Sequence, residues 1–151
     1  GRQDRNRKPV SEPAVAGVRR CSRTPPERLS RPAAGVVRAV TDAVIVTCTR
    51  CSGEAARISL LPNGLRRTGF IGEVTKFGDA EGLHRLLEVI RSGDFACARG
   101  ADADFVAFHC RECGRSYCER CWRIGPPEFD DGFYDFTSGT CPEGHEQTVD
   151  D

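Results

Sequence analysis

The sequence predicts a small α+β domain whose loops are stapled together, with little help from a large core. Three observations carry this expectation. The chain has 151 residues and is 38% hydrophobic but only 7% aromatic, so the material for a core is modest, and small domains of that kind commonly use metal or disulfides as staples. Short β-branched runs precede a single amphipathic helical stretch. Nine cysteines are present, and most fall in tight pairs.

Order is expected from residue 36 to 151. Val36–Val40 and Val44–Thr47 are short β-branched runs that read as one or two strands delivering Cys48. Ala56–Leu61 reads as another strand, ended by the turn Pro62-Asn63-Gly64. Thr68–Phe77 carries Phe70, Ile71, Val74 and Phe77 and reads as a further strand or hairpin. From about Asp79 to Ser92, Leu83, Leu86, Leu87 and Ile90 recur at i, i+3, i+4 and i+7, the spacing of one helix face. Asp79 stands at the N-cap and Gly93 just past the C-terminus. Phe105–Phe108 reads as a short strand leading into Cys110.

Residues 1–35 have a different composition. They hold eight arginines and one lysine against Asp4, Glu12 and Glu27, a net charge of +6, with five prolines and few large apolar side chains. Such a segment cannot bury enough surface to offset its ordering entropy, so a disordered Arg/Pro-rich tail is expected. Cys21 lies in it as a bystander. The remainder of the chain carries −6, and beyond Arg123 only acids and His145 are charged or titratable at neutral pH. No apolar run approaches the roughly 20 residues of a membrane span. The chain begins at Gly1 and holds no methionine, which reads as a trimmed sequence.

The chemistry lies in four ligand pairs: Cys48/Cys51, Cys110/Cys113, Cys118/Cys121 and Cys141/His145. Two thiolates three residues apart in a turn can both reach one metal at about 2.3 Å, and amides of the turn soften the charge on sulfur. Zn²⁺ takes four such ligands in a tetrahedron, so eight ligands predict two zinc ions, one Cys₄ and one Cys₃His. The runs of closely spaced cysteines usual for a [4Fe–4S] centre are absent. The odd cysteine count and C-x-x-C spacing fit metal-bound thiolates in a reducing, cytoplasmic compartment better than a secreted disulfide framework. Only four residues separate Cys113 from Cys118. That short linker makes it awkward for neighbouring pairs to close on one ion. An interleaved arrangement is easier, with Cys48, Cys51, Cys118 and Cys121 on one zinc and Cys110, Cys113, Cys141 and His145 on the other. The alternative joins the first pair to the second and the third to the fourth.

The run His109-Cys110-Arg111-Glu112-Cys113-Gly114-Arg115-Ser116-Tyr117-Cys118-Glu119-Arg120-Cys121 resembles the centre of a FYVE finger. The resemblance implies a two-zinc cross-brace of treble-clef type, shared with RING domains, and so the interleaved pairing. It does not extend to lipid recognition. FYVE fingers hold a phosphoinositide with a basic run before the histidine, and here that position is the apolar Phe105-Val106-Ala107-Phe108. The kinship with RING domains implies an alternative role as a ubiquitin-type ligase or adaptor, with Trp122 beside the metal loops either touching the partner or packing over the zinc.

No metalloprotease, zinc-deaminase, phosphate-loop or serine-hydrolase signature is present. Four protein ligands per ion also leave no open position for catalysis. A non-enzymatic module that binds a protein partner is therefore expected. Glu128–Phe136 interleaves four acids with four aromatics in a loop between the third and fourth pairs, and Phe129, Phe133 and Tyr134 join Trp122 as candidate contacts for a basic partner. A third reading is nucleic-acid binding through the arginine-rich tail, since the acidic body offers no phosphate surface. His109 reads as packed beside a ligand, His84 as a helix-surface residue without a role, and Cys97 as a small buried core residue.

Overall fold

The computed structural model describes residues 37–40 and 43–151. The expected tail, with Cys21 and its cluster of basic residues, lies outside the described residues. The fold is α+β, with two antiparallel sheets and two helices. The first sheet is a five-stranded meander of β1 (Val37–Val40), β2 (Ala43–Thr47), β3 (Glu54–Leu61), β4 (Gly64–Thr68) and β5 (Val74–Phe77), in that order. Alternation drives it: in β2, Val44 and Val46 point inward and their neighbours are half-buried. Val44 pairs with Ile58 and Ile58 with Arg67, which sets these three side chains in one row on the core face.

Helix α1 (Ala80–Arg91) lies across β2 and β4. Its Leu83, Leu86, Leu87 and Ile90 are all buried. The Asp79 carboxylate accepts the Gly82 amide at 2.8 Å, and Gly93 takes the left-handed φ of 78° that ends the helix. A second helix, α2 (Phe95–Ala101), follows at once and was not expected. Asp94 caps it by accepting the Cys97 amide at 3.0 Å, and Phe95 and Ala98 anchor it. Seven residues give too few turns for a periodic pattern to register in the sequence. Cys97 is half-buried on this helix, so it is less enclosed than expected.

Two further expectations are corrected. Phe105–Phe108 is not a strand: Asp104–Val106 form a 3₁₀ turn. All four residues from Phe105 to Phe108 are buried, and an edge strand with one wet face cannot bury consecutive side chains. The segment Glu128–Phe136 is not a loop but a hairpin, made by β6 (Arg123–Asp130) and β7 (Phe133–Thr140) and completed into a three-stranded sheet by β8 (Glu146–Asp150). Asp131 and Gly132 form its two-residue turn with φ of 49° and 84°, the backbone that a right-twisted hairpin requires and that Asp-Gly provides. The pair register skips at Pro126, so a bulge accommodates a residue that cannot donate to the ladder.

One core joins the first sheet, both helices and the cysteine loops. Its centre is a chain of edge-to-face aromatic rings: Phe95 to Phe108 at 5.5 Å, Phe70 to Phe108 at 6.5 Å, Phe70 to Trp122 at 6.1 Å and Trp122 to Tyr117 at 6.4 Å. Trp122 is only 5% exposed and donates its indole N–H toward the Phe108 carbonyl. It is core, and the expected partner contact at Trp122 is not available on the surface. Arg67 is an unexpected member of the core. Its guanidinium lies 5.9 Å from the Phe70 ring centre and donates to the Phe70 carbonyl, while Nε and Nη2 find no partner among the described residues.

Candidate metal centres

Each ligand pair is presented by a tight turn closed by its own backbone. After β2, the Cys48 carbonyl accepts the Ser52 amide at 2.9 Å and the Cys48 amide donates back to Gly53 at 2.7 Å. The same closure recurs at the second pair, where Gly114 N–H reaches the Cys110 carbonyl at 3.0 Å and Cys110 N–H the Arg115 carbonyl at 2.9 Å. It recurs again at the fourth, where Gly144 N–H reaches Cys141 O and Cys141 N–H reaches His145 O, both at 2.9 Å. Gly114 and Gly144 have φ of 65° and 92°, which glycine adopts without strain. The third pair sits on a 3₁₀ turn, Glu119–Cys121, with Cys121 N–H bonded to Cys118 O at 2.9 Å.

The folding brings these pairs together as two quartets. Cys48, Cys51, Cys118 and Cys121 form one, and Cys110, Cys113, Cys141 and His145 the other, with the four ligand atoms of each within 4.8 Å of one another. This is the interleaved grouping. The Thr49 amide donating to Ser116 O at 2.8 Å holds the first loop against the third. Arg115 and Glu143, 3.2 Å apart, link the second loop to the fourth.

The spacing within each quartet identifies what it can hold. Cys51 Sγ lies 3.6 Å from Cys118 Sγ. His145 Nδ1 lies 3.7 Å from Cys110 Sγ and 3.5 Å from Cys141 Sγ. A disulfide would bring sulfurs to about 2.05 Å. A tetrahedron with metal–sulfur bonds of about 2.3 Å has edges of about 3.8 Å, and slightly shorter ones to nitrogen. The observed separations are compatible with donors gathered around one small ion, and the seven cysteines are free thiols.

The acid–base balance of the quartets points the same way. At Cys48 burial opposes the thiolate, but amides of Cys118, Cys51 and Arg50 outweigh it and bring the thiol down to about 7. Burial likewise opposes Cys141, and amides of His145 and Glu143 again prevail. Cys110, Cys118 and Cys121 move upward. Burial, then the neighbouring Cys118, Cys48 and Cys51, push Cys121 to about 12. Cys110 is pushed up to about 11, chiefly by burial. Each quartet thus has one thiol whose ionisation its amides favour and at least one that burial holds protonated, so metal binding would release protons.

Side chains outside the quartets hold the loops in place. Gln147 on β8 is buried. Its amide N–H donates to Ala107 O at 3.2 Å and His109 O at 3.1 Å, and its carbonyl accepts the Arg111 amide at 3.1 Å. It fixes the second loop from a strand 36 residues away in sequence. The Tyr117 hydroxyl lies 3.5 Å from Cys113 Sγ. His109 is not a ligand. Its Nδ1 lies 3.1 Å from Ser116 Oγ, and burial, aided by Arg99, lowers its pKa to about 4 and keeps it neutral. Nothing in the local sequence marks Gln147, whereas Tyr117 is visible as the aromatic between two cysteine pairs. His84 is exposed on α1.

The other candidate contacts lie on the opposite, distal part of the hairpin β6–β7, away from Trp122. Phe129, Phe133 and Tyr134 are 63%, 78% and 42% exposed.

The family model described as domain of unknown function (DUF8328) matches residues 37–151. The chain belongs to the DUF8328 family. Comparison with curated proteins and with solved structures finds no match. The family boundary coincides with the start of β1 and encloses all eight candidate ligands. No helix among the described residues is long and apolar enough to cross a membrane.

Proposed function

We propose that the chain is a non-enzymatic interaction module stapled by two zinc ions in a cross-brace. The observation that carries this reading is the pair of four-donor quartets at tetrahedral spacing. Cys48, Cys51, Cys118 and Cys121 would hold one ion, and Cys110, Cys113, Cys141 and His145 the other. Zinc in such sites supplies folding free energy and no reactive position. A set of three thiolates and an imidazole suits zinc, and quartets this compact suit a single ion better than an iron–sulfur cluster, which spreads its ligands around its own sulfides. The interleaving of the pairs is the ligand order of a cross-brace. The ligase reading loses its surface tryptophan, because Trp122 is core. The nucleic-acid reading rests on residues outside the described structure.

Native mass spectrometry of chelator-free protein tests this directly. Two zinc ions per chain are expected, with loss of secondary structure in circular dichroism when a strong chelator removes them. A folded chain without metal would overturn the reading.

A further inference from the structure

The distal end of the β6–β7 hairpin carries exposed aromatics that neither the metal centres nor the core explain. Cross-strand pairing sets its two faces. Asp130 pairs with Phe133, so the two share a face, and the register shifts at the next step, where Asp135 is the extra residue of a bulge between Tyr134 and Phe136. Phe129 pairs with Tyr134 on the other face, their rings edge-to-face at 6.2 Å. Phe133 is thus an open ring, 78% exposed, on the same face as the Asp130 carboxylate. Tyr134 is held in place by its hydroxyl, which donates to the Asp150 carboxylate at 2.6 Å. Glu128, Asp130, Asp131 and Asp135 face no basic residue within this stretch, and none makes an ion pair among the described residues.

We propose that this hairpin end is a docking surface for an arginine-rich peptide segment. The inference deepens the interaction-module reading and rests on it. The chemistry selects arginine among cations. A guanidinium is planar and weakly hydrated, stacks on an aromatic face and pairs bidentately with carboxylates. Phe133, with Asp130 opposite it in the strand pair, offers both at once. Lysine would gain the charge attraction but little of the stacking. A hydrophobic partner or a second copy of the chain would have to bury the four acids without neutralising them. Nucleic acid would be repelled by them.

The test uses the full, zinc-loaded chain and fluorescent nona-arginine and nona-lysine peptides, read by anisotropy. Phe133→Ser changes only an exposed side chain, and zinc content and circular dichroism check that it folds. The expected result is saturable binding of the arginine peptide, weakened about tenfold by Phe133→Ser. The lysine peptide should bind several-fold more weakly than the arginine one. Asp130→Asn with Asp135→Asn should flatten the salt dependence. Equal binding of both peptides with no effect of Phe133→Ser would overturn the proposal, since a diffuse acidic field would then suffice. So would absence of binding, or a concentration-dependent dimer lost in Phe133→Ser, which would make the occupant a second copy. Each of these outcomes with two zincs still bound sinks this inference alone, whereas a metal-free chain sinks the module reading as well.

Discussion

Asp104 shows how a single side chain carries a pH signature away from the metal loops. It is half-buried at the 3₁₀ turn, and burial, followed by Asp151, Asp102 and Asp150, raises its pKa from 3.8 to about 6. Asp104 is the charge that most supports the ionised form of Arg67, which burial disfavours. A carboxyl whose folded pKa is raised contributes its stability below the unfolded pKa and loses it as pH rises through about 6. Ionised at neutral pH, Asp104 costs stability. Asp104→Asn is therefore expected to raise the denaturation midpoint at pH 8 and to change it little at pH 3, below the unfolded pKa. The reverse order in paired urea titrations would show that the charge is compensated by Arg67 after all.

Residue identity also explains what the sequence made visible at this scale. The eight candidate ligands were readable because metal chemistry demands local pairs, and local pairs survive as spacing. Arg67 was not readable: alternation places it in the core row with Val44 and Ile58, but an arginine in a short strand reads as solvent-facing. Trp122 followed its apolar character into the core.

Among the elements, α1 was legible because four leucine and isoleucine positions mark one face over three turns. The β6–β7 hairpin was hidden by its own composition. Pro126 and Pro127, with four acids, suggest a loop, although Asp131-Gly132 is a strong hairpin signal once the bulge is allowed for. Strand β8 matters for the second centre because it delivers Gln147 to the Cys110 loop. Gln147→Ala removes three buried hydrogen bonds, a loss of about 2–3 kcal/mol. It is also expected to weaken retention of one of the two metals by at least about tenfold, as the loss of supporting groups around ligands usually does. Competition with a chromogenic chelator should then resolve one labile and one tight ion. Two ions of unchanged affinity would show that β8 supports the sheet and not the site.

At the scale of the whole molecule, sheet, helices and cysteine loops share one core, so metal held by the loops would stabilise the same structure as the packing does. The ligands that share a quartet lie up to 73 residues apart in sequence, Cys48 to Cys121. Two ions bound there would close long loops of chain that short local contacts could not hold. This is the part of the account on which the others depend, and the interleaved grouping was open in the sequence between two pairings until the fold brought the loops together.

The most direct measurement is proton–cadmium correlation spectroscopy on the ¹¹³Cd-substituted protein, which reports which cysteines bind which ion in the intact chain. The account predicts two cadmium signals. One should correlate with the β-protons of Cys48, Cys51, Cys118 and Cys121, and the other with those of Cys110, Cys113 and Cys141 and with the His145 ring. Correlation of Cys48 and Cys51 with the same cadmium as Cys110 and Cys113, or a single cadmium signal, would contradict it.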